Sequence, residues 1–301
     1  MRYNVPIWEK SNLTLDEAAA LEEDTETTDD KINSILEKRT DTEKISFFAF
    51  TATPKNKTLQ IFGRAGEDEL PHEFHLYSMK QAIEEGFILD ILKNYATYEL
   101  YYKVGKKIED NPEFDKGKGK KAVTRFVSLN DYNIRQKVEV MVEDFINNRS
   151  MWIEGKSKAM IVTASRLHAV KYKLAIDKYL KEKGYDIKSL VAFSGTVKDE
   201  DIEYSEEGMN GIKQGELPEI FDTDNSCKFL IVAEKYQTGF DQPKLCAMYV
   251  DKKLDGVKAV QTLSRLNRTT PKKDSTFILD FFNSTTEITD SFAPYFKSTN
   301  I

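Results

Sequence analysis

Apolar residues along this chain fall into two rhythms. From Asp131 to Asn147, Ile134, Val138, Met141, Val142 and Phe145 recur every three or four residues, the spacing of one buried helix face. Beyond them come short apolar runs at Ala159 to Thr163, Leu190 to Phe193, Phe229 to Ala233, Cys246 to Val250 and Phe277 to Phe282, with a helical stretch from Arg166 to Lys183 between the first two. Short, nearly continuous apolar strands separated by helices or crossover-length segments predict an α/β fold, a parallel sheet with helices on both faces. Upstream, Ile45 to Phe50 reads as a buried strand closed by Thr51, Thr53 and Pro54, Met79 to Leu92 as a helix, and Tyr95 to Val104 as a half-buried strand. Residues 11 to 44 read as a solvated acidic connector, 110 to 121 as a lysine-rich loop, and Thr196 to Cys227 as a polar excursion without legible chemistry.

Composition narrows the class only a little. With 301 residues and 40% hydrophobic content the chain can bury one large core or two modest ones. No apolar stretch reaches the length of a membrane span, and the amino-terminal residues lack a signal core, so the expected location is the cytoplasm. Cys227 and Cys246 lack metal-ligand spacing and read as reduced packing residues. The net charge of −6 is carried by the first 44 residues, which hold 12 acidic against 6 basic side chains; the remaining body carries 38 of each. A neutral body can still present a local basic groove, so net charge does not decide for or against nucleic acid.

Ligands of open parallel sheets sit beyond the carboxyl ends of the strands, and three such ends carry unusual residues. They are FTATP (Phe50 to Pro54), TASR (Thr163 to Arg166) and EKYQTGFDQP (Glu234 to Pro243); a helix read from Gly256 onward adds QTLSRLNR, Gln261 to Arg268. Ser165 can simply cap the helix beginning at Arg166, and Gly239 can simply permit a turn. Two arginines three residues apart share a helix face or a turn and can present two guanidiniums to one phosphate.

In order and spacing these segments resemble motifs III to VI of superfamily 2 helicases and translocases, the last fitting Q-x-x-[GS]-R-x-x-R through Gln261, Arg265 and Arg268. With YSMKQAIEEGFILDILKNY and LVAFSGTV they are similar, from about residue 45 to 283, to the motor region of the R (restriction) subunit of type I restriction-modification enzymes. That resemblance implies a second RecA-like helicase domain over residues 71–301, and over 1–70 an acidic connector and the tail of a first RecA-like domain. It implies an ATP-dependent motor on double-stranded DNA, working with the rest of the R subunit and with methylation and specificity subunits. Thr51 and Thr53 would couple nucleotide state to domain closure. Thr163, Ser165, Arg166 and Thr238 would lie towards the DNA backbone, and Gly239 and Asp241 would approach ATP. Arg265 and Arg268 would neutralise charge on the γ-phosphate, with Gln261 positioned at the same cleft. A different superfamily 2 helicase, or a non-enzymatic interaction module on a degenerate motor fold, would share much of this pattern.

A phosphate loop, G-x-x-x-x-G-K-[ST], and an acidic Mg²⁺-holding motif II are missing from the sequence. ATP and Mg²⁺ are therefore expected in the intact subunit, with none bound by this segment alone, which is expected to be inactive by itself. SMWIEGKS (Ser150 to Ser157) has the end of a phosphate loop but Ser150 in place of its first glycine, and lies between a helix and a strand instead of the reverse. Asp251 and Lys253 in VDKK mimic a nuclease D-x-K element without an upstream acidic partner, and read as a charged strand end. No metal site is expected.

Overall fold

The computed structural model describes residues 48–54, 56–66, 70–98, 128–199, 201–236 and 240–296. The chain divides into two compact units, residues 1–76 and 77–301. Among the described residues no helix is long and apolar enough to cross a membrane.

In the first unit, helix α1 (Asn56–Phe62) is followed by strand β1 (Arg64–Ala65), which pairs antiparallel with β2 (Pro71–His72). Gly63 joins helix to strand where a Cβ would fall 2.4 Å from the Leu59 carbonyl oxygen and 2.6 Å from that of His72, so only glycine fits. The strand expected over Ile45 to Phe50 is not seen in its described part: Phe48 and Phe50 lie outside any strand and are 79% and 95% exposed. A strand needs a ladder to join, and β1 and β2 are the only paired strands among this unit's described residues.

The second unit is built on the parallel sheet that the apolar runs predict. Its strands are β3 (Tyr95–Thr97), β4 (Lys158–Thr163), β5 (Lys188–Ala192), β8 (Cys227–Val232), β9 (Leu245–Asp251) and β10 (Phe277–Asp280), in the order β3-β10-β9-β4-β8-β5. Every pairing is parallel. The central strands are buried on both faces, and their alternate residues feed two cores. Met160, Val162, Leu230, Val232, Met248 and Val250 pack towards α7 (Leu217–Thr223), α8 (Gly256–Leu263) and α9 (Thr285–Phe292). Ala159, Ile161, Phe229, Ile231, Ala247 and Tyr249 pack towards α3 (Asp131–Asn148) and α5 (Arg166–Lys183). The period of two in a strand thus sends successive side chains into opposite cores.

Helix ends follow local chemistry. Ser165 caps α5 by accepting from the His168 N–H, and Gly184, at φ 70°, closes it in the left-handed conformation that glycine tolerates. The helix expected over Met79 to Leu92 is shorter, α2 (Met79–Glu84), because Gly86 turns to φ 77° and the Phe87 N–H reaches back to the Ala82 carbonyl. The supposed polar excursion holds structure: a hairpin of β6 (Thr196–Asp199) and β7 (Ile202–Ser205), then α6 (Glu206–Asn210) and α7. Its polar side chains close the sheet's β5 edge. The Asn210 amide takes the Val191 N–H (2.9 Å) and gives to the Val191 carbonyl (2.7 Å), Glu206 accepts from Phe193 N–H (2.9 Å), and Lys173 Nζ donates to the Ser189 carbonyl (2.8 Å). An edge strand is left with little to offer another chain.

SMWIEGKS closes α3 onto the start of β4, at the amino ends of the strands. Its Trp152–Gly155 turn (α4) has Ile153 and Glu154 in left-handed conformations, and Ser157 Oγ donates to the Arg149 (2.7 Å) and Ser150 (3.0 Å) carbonyls. This is a strand-entry turn on the side of the sheet opposite to where phosphate loops act.

Candidate functional site

The carboxyl ends of β4, β5, β8 and β9 share one rim, which carries Thr163, Ser165 and Arg166, whereas Asp241 precedes β9 and the turn with Arg265 and Arg268 lies between α8 and β10, beside the residues that lead into β3. Thr163 ends β4 with its hydroxyl donating to the Val232 carbonyl (3.0 Å), fully buried, so it ties β4 to β8 without reaching the surface. Ser165 and Arg166, both half-buried, carry that strand end outward; Arg166 Nη1 donates to the Ser194 carbonyl beyond β5 (3.1 Å). Ser165 Oγ also lies 2.8 Å from His168 Nδ1, whose Nε2 is 3.0 Å from Ser128 Oγ, so this histidine is a buried structural link. Thr238 and Gly239 lie outside the described residues. Thr51 and Thr53 belong to the other unit, where the Thr53 N–H donates to Thr51 Oγ1 (3.1 Å) and the Thr53 side chain is buried.

The arginine motif departs from expectation in one respect. It does not ride on a helix: α8 stops at Leu263, and Ser264 to Asn267 form consecutive turns before Arg268 enters an isolated antiparallel bridge with Ile88. The physical reason lies in where its carbonyls go. Asn267 O accepts from the Leu89 N–H (2.9 Å), while Leu266 O and Arg268 O accept from Lys273 Nζ (2.8 and 2.6 Å), so partners outside the helix replace the helical ones. Tyr77 and Phe87, which meet edge to face at 6.4 Å, flank the α2 turn that supplies Ile88 and Leu89.

Two residues nominated on separate motifs meet here. Arg265 Nη1 donates to the Phe240 carbonyl (3.0 Å) and its Nε to the Gln261 carbonyl (3.3 Å), which pins the loop after β8 to the turn after α8. Arg268 Nε lies 3.4 Å from Asp241 Oδ1, with side chains 48% and 73% exposed. Burial, reinforced by the neighbouring charge of Arg268, lowers the Arg265 pKa, with Asp241 opposing. Two guanidiniums therefore sit close enough to feel each other, one fastened to backbone carbonyls and the other held by an exposed, exchangeable carboxylate. An exposed pair of this kind is weak, and an anion of higher charge can displace it.

Some residues that shape this rim carry no signal in the residue pattern. Glu206, nearly buried on α6, accepts two hydrogen bonds from Lys235 Nζ (2.8 and 2.9 Å) as well as the Phe193 N–H, which braces the start of the β8 loop against β5. Lys252 Nζ donates to Glu234 Oε1 (3.3 Å) across the β8 and β9 ends. Asp251 is the charged end of β9, as read from the sequence, but it is interior: it is 5% exposed and accepts from Lys137 Nζ (2.6 Å) and Tyr172 OH (2.7 Å), while Lys253 pairs with Glu287. Among the described residues no group of His, Cys, Asp or Glu is arranged to hold a metal ion.

Comparisons with known proteins agree with the resemblance read from the motifs. Residues 203–283 match the family described as type I restriction enzyme subunit R domain 3. The MjaVIIP type I restriction enzyme endonuclease subunit of Methanocaldococcus jannaschii is 31% identical over 284 residues, 82% of this chain and 26% of that protein. The SauCOLORF180P type I restriction enzyme endonuclease subunit of Staphylococcus aureus strain COL is 25% identical over 260 residues, 74% of this chain and 26% of that protein. The chain thus spans about a quarter of the length of the curated relatives it matches. Among solved structures, a fragment of an HsdR subunit of a type I restriction enzyme from Vibrio vulnificus YJ016 covers 75% of this chain and 38% of its own, at 16% identity and a TM-score of 0.47.

Proposed function

This chain is a homologue of type I restriction enzyme endonuclease subunits, and from that premise we propose that it forms part of an ATP-driven double-stranded DNA translocase motor in such a subunit. The observation that carries the reading is the convergence of motifs V and VI: Arg265 fastens the loop after β8 to the turn after α8, and Arg268 stands at its surface against Asp241. This arrangement divides the work between two arginines that the motif treats alike. Arg265, bonded to two backbone carbonyls, is the clamp, and Arg268 is the finger that exchanges Asp241 for the γ-phosphate. Gln261 contributes its carbonyl to the clamp.

ATP and Mg²⁺ would be held by the phosphate loop and motif II of the first RecA-like domain, in a part of the subunit other than this sequence. The residues here suit a cleft completed from the far side: donors and positive charge, without a loop that could cradle three phosphates. Ser165 and Arg166 at the β4 end, with Thr163 fixing that end from below and Thr238 beyond β8, would follow the DNA backbone. Contacts of that kind carry little sequence preference and a steep salt dependence. Sequence choice would rest with a specificity subunit, and methylation with its partner subunit.

An arginine finger is worth roughly 10³ to 10⁵ in turnover, because it meets charge that develops only in the transition state. In the intact subunit, Arg268→Ala is expected to slow DNA-stimulated ATP hydrolysis by at least about a hundredfold while leaving the circular dichroism spectrum unchanged. A near-wild-type rate would remove the finger and favour a non-enzymatic module on this fold.

A further inference from the structure

A lysine as buried as Lys273 is unusual inside a protein. Its side chain is 5% exposed, and among the described residues it takes part in no ion pair. Burying an ammonium without a counter-charge is costly, and such a group is retained where its donors have a task. Here Nζ reaches the Leu266 carbonyl at 2.8 Å and the Arg268 carbonyl at 2.6 Å, the carbonyls of the non-helical turn that carries both arginines. The same turn is gripped from the opposite side by the Leu89 N–H on Asn267 O and by the Ile88 bridge to Arg268. The Arg268 backbone is thereby fixed while its guanidinium stays half exposed.

We propose that Lys273 is a positioning residue for the arginine finger: its ammonium ties the Leu266 and Arg268 carbonyls into the turn that aims Arg268 at the phosphate cleft. Two further observations support this. The Arg268 charge acts on both Arg265 and Lys273, and burial, with that charge adding to it, draws the Lys273 ammonium down to about 8 against the opposing pull of the Cys246 thiol. Ammonium donors also act on backbone oxygens here, so the effect of Lys273 is transmitted through main chain to the base of the Arg268 side chain and not to its tip. The inference rests on the finger reading of Arg268 given above.

The test uses the intact subunit and DNA-stimulated ATP hydrolysis, with Lys273→Met and the milder Lys273→Gln, each alone and combined with Arg268→Ala. A misplacement of about 1 Å can cost up to about a hundredfold, so either Lys273 variant is expected to lower kcat by about ten- to a hundredfold with the KM for ATP little changed. In the Arg268→Ala background neither should cost anything further, because a residue that works only through Arg268 has nothing left to position. A raised KM at constant kcat, an additive loss in the double variants, or loss of folded circular dichroism in both single variants would each overturn the proposal. Slow Arg268→Ala with fast Lys273 variants would refute Lys273 alone; fast Arg268→Ala would refute the finger itself.

Discussion

Asp251 offers the sharpest test of how this fold is held, because a charged strand end here is buried and bonded on two sides. Its carboxylate is the point where α3, α5 and β9 meet: Lys137 Nζ at 2.6 Å, Tyr172 OH at 2.7 Å, and 5% exposure. Burial, and after it the Asp251 charge, holds the Tyr172 phenol well above its ordinary pKa, so the hydroxyl is a donor at every working pH. Asp251→Ala leaves that fully buried hydroxyl without its partner, a loss of about 1–3 kcal/mol, and unpairs Lys137. Breaking a buried pair costs about 3–5 kcal/mol, and Lys137, 23% exposed, can turn part of its charge to water, which places the expected loss near ~3 kcal/mol. Asp251→Asn keeps an acceptor for Tyr172 and gives up only the charge, for about 1–2 kcal/mol. At about 2–4 °C per kcal/mol for a unit of this size, the alanine variant should melt roughly 6–12 °C below wild type and the asparagine variant clearly less. Thermal melts of the chain followed by circular dichroism at neutral pH, with and without Mg²⁺, measure both. An alanine variant within about 1 kcal/mol of wild type, or a wild-type midpoint raised by Mg²⁺, would show that Asp251 is a ligand-binding carboxylate and not a structural one.

Two further outcomes follow from buried charges away from the rim. Arg149 lies 3.5 Å over the Phe277 ring and makes two hydrogen bonds of 3.0 Å to the buried Asp144, which also accepts from Tyr249 OH at 2.8 Å; Arg149→Met should cost about 3–5 kcal/mol in urea unfolding and shift the emission of Trp152, 5.3 Å from the guanidinium, whereas an unchanged midpoint would contradict a buried pair. Lys158, with Nζ on the Asp224 and Cys227 carbonyls, is pulled by burial from its ordinary 10.5 down to about 8, so between these values the unfolded chain binds the extra proton and stability rises with pH. Lys158→Met removes that gain: relative to the variant, wild type should improve by about 2 kcal/mol between pH 8 and pH 9.5, and a constant difference across that range would refute a depressed lysine.

Much of the fold was legible because its cause is local. Apolar runs at β4, β5, β8, β9 and β10 are continuous since helices cover both faces of the sheet, and the predicted helix from Arg166 to Lys183 is α5 to the residue, bounded by a capping serine and a left-handed glycine. The motif segments could be picked out in the same way, as residue types in a fixed order along the chain. Where a reading failed, the missing information was which partner, near or far in the chain, each backbone group would find. The run at Phe48 to Phe50 is as apolar as any strand but finds no ladder among its unit's described residues. QTLSRLNR was read as continuing a helix, yet α8 ends at Leu263 and its last carbonyls are taken by Lys273 and by the Leu89 N–H.

The sequence by itself determined the class of fold and pointed to the arginines worth testing, since each depends on neighbours within a few residues. Only the tertiary structure decided that Arg265 bonds the Phe240 carbonyl and Arg268 faces Asp241, that Asp251 is interior and bonded, and which carbonyls and N–H groups Glu206, Asn210 and Lys273 satisfy. The physical reason is that a buried charge or an unpaired carbonyl must find its partner wherever the fold puts one, and that can be far away in sequence: Lys137 lies 114 residues from Asp251.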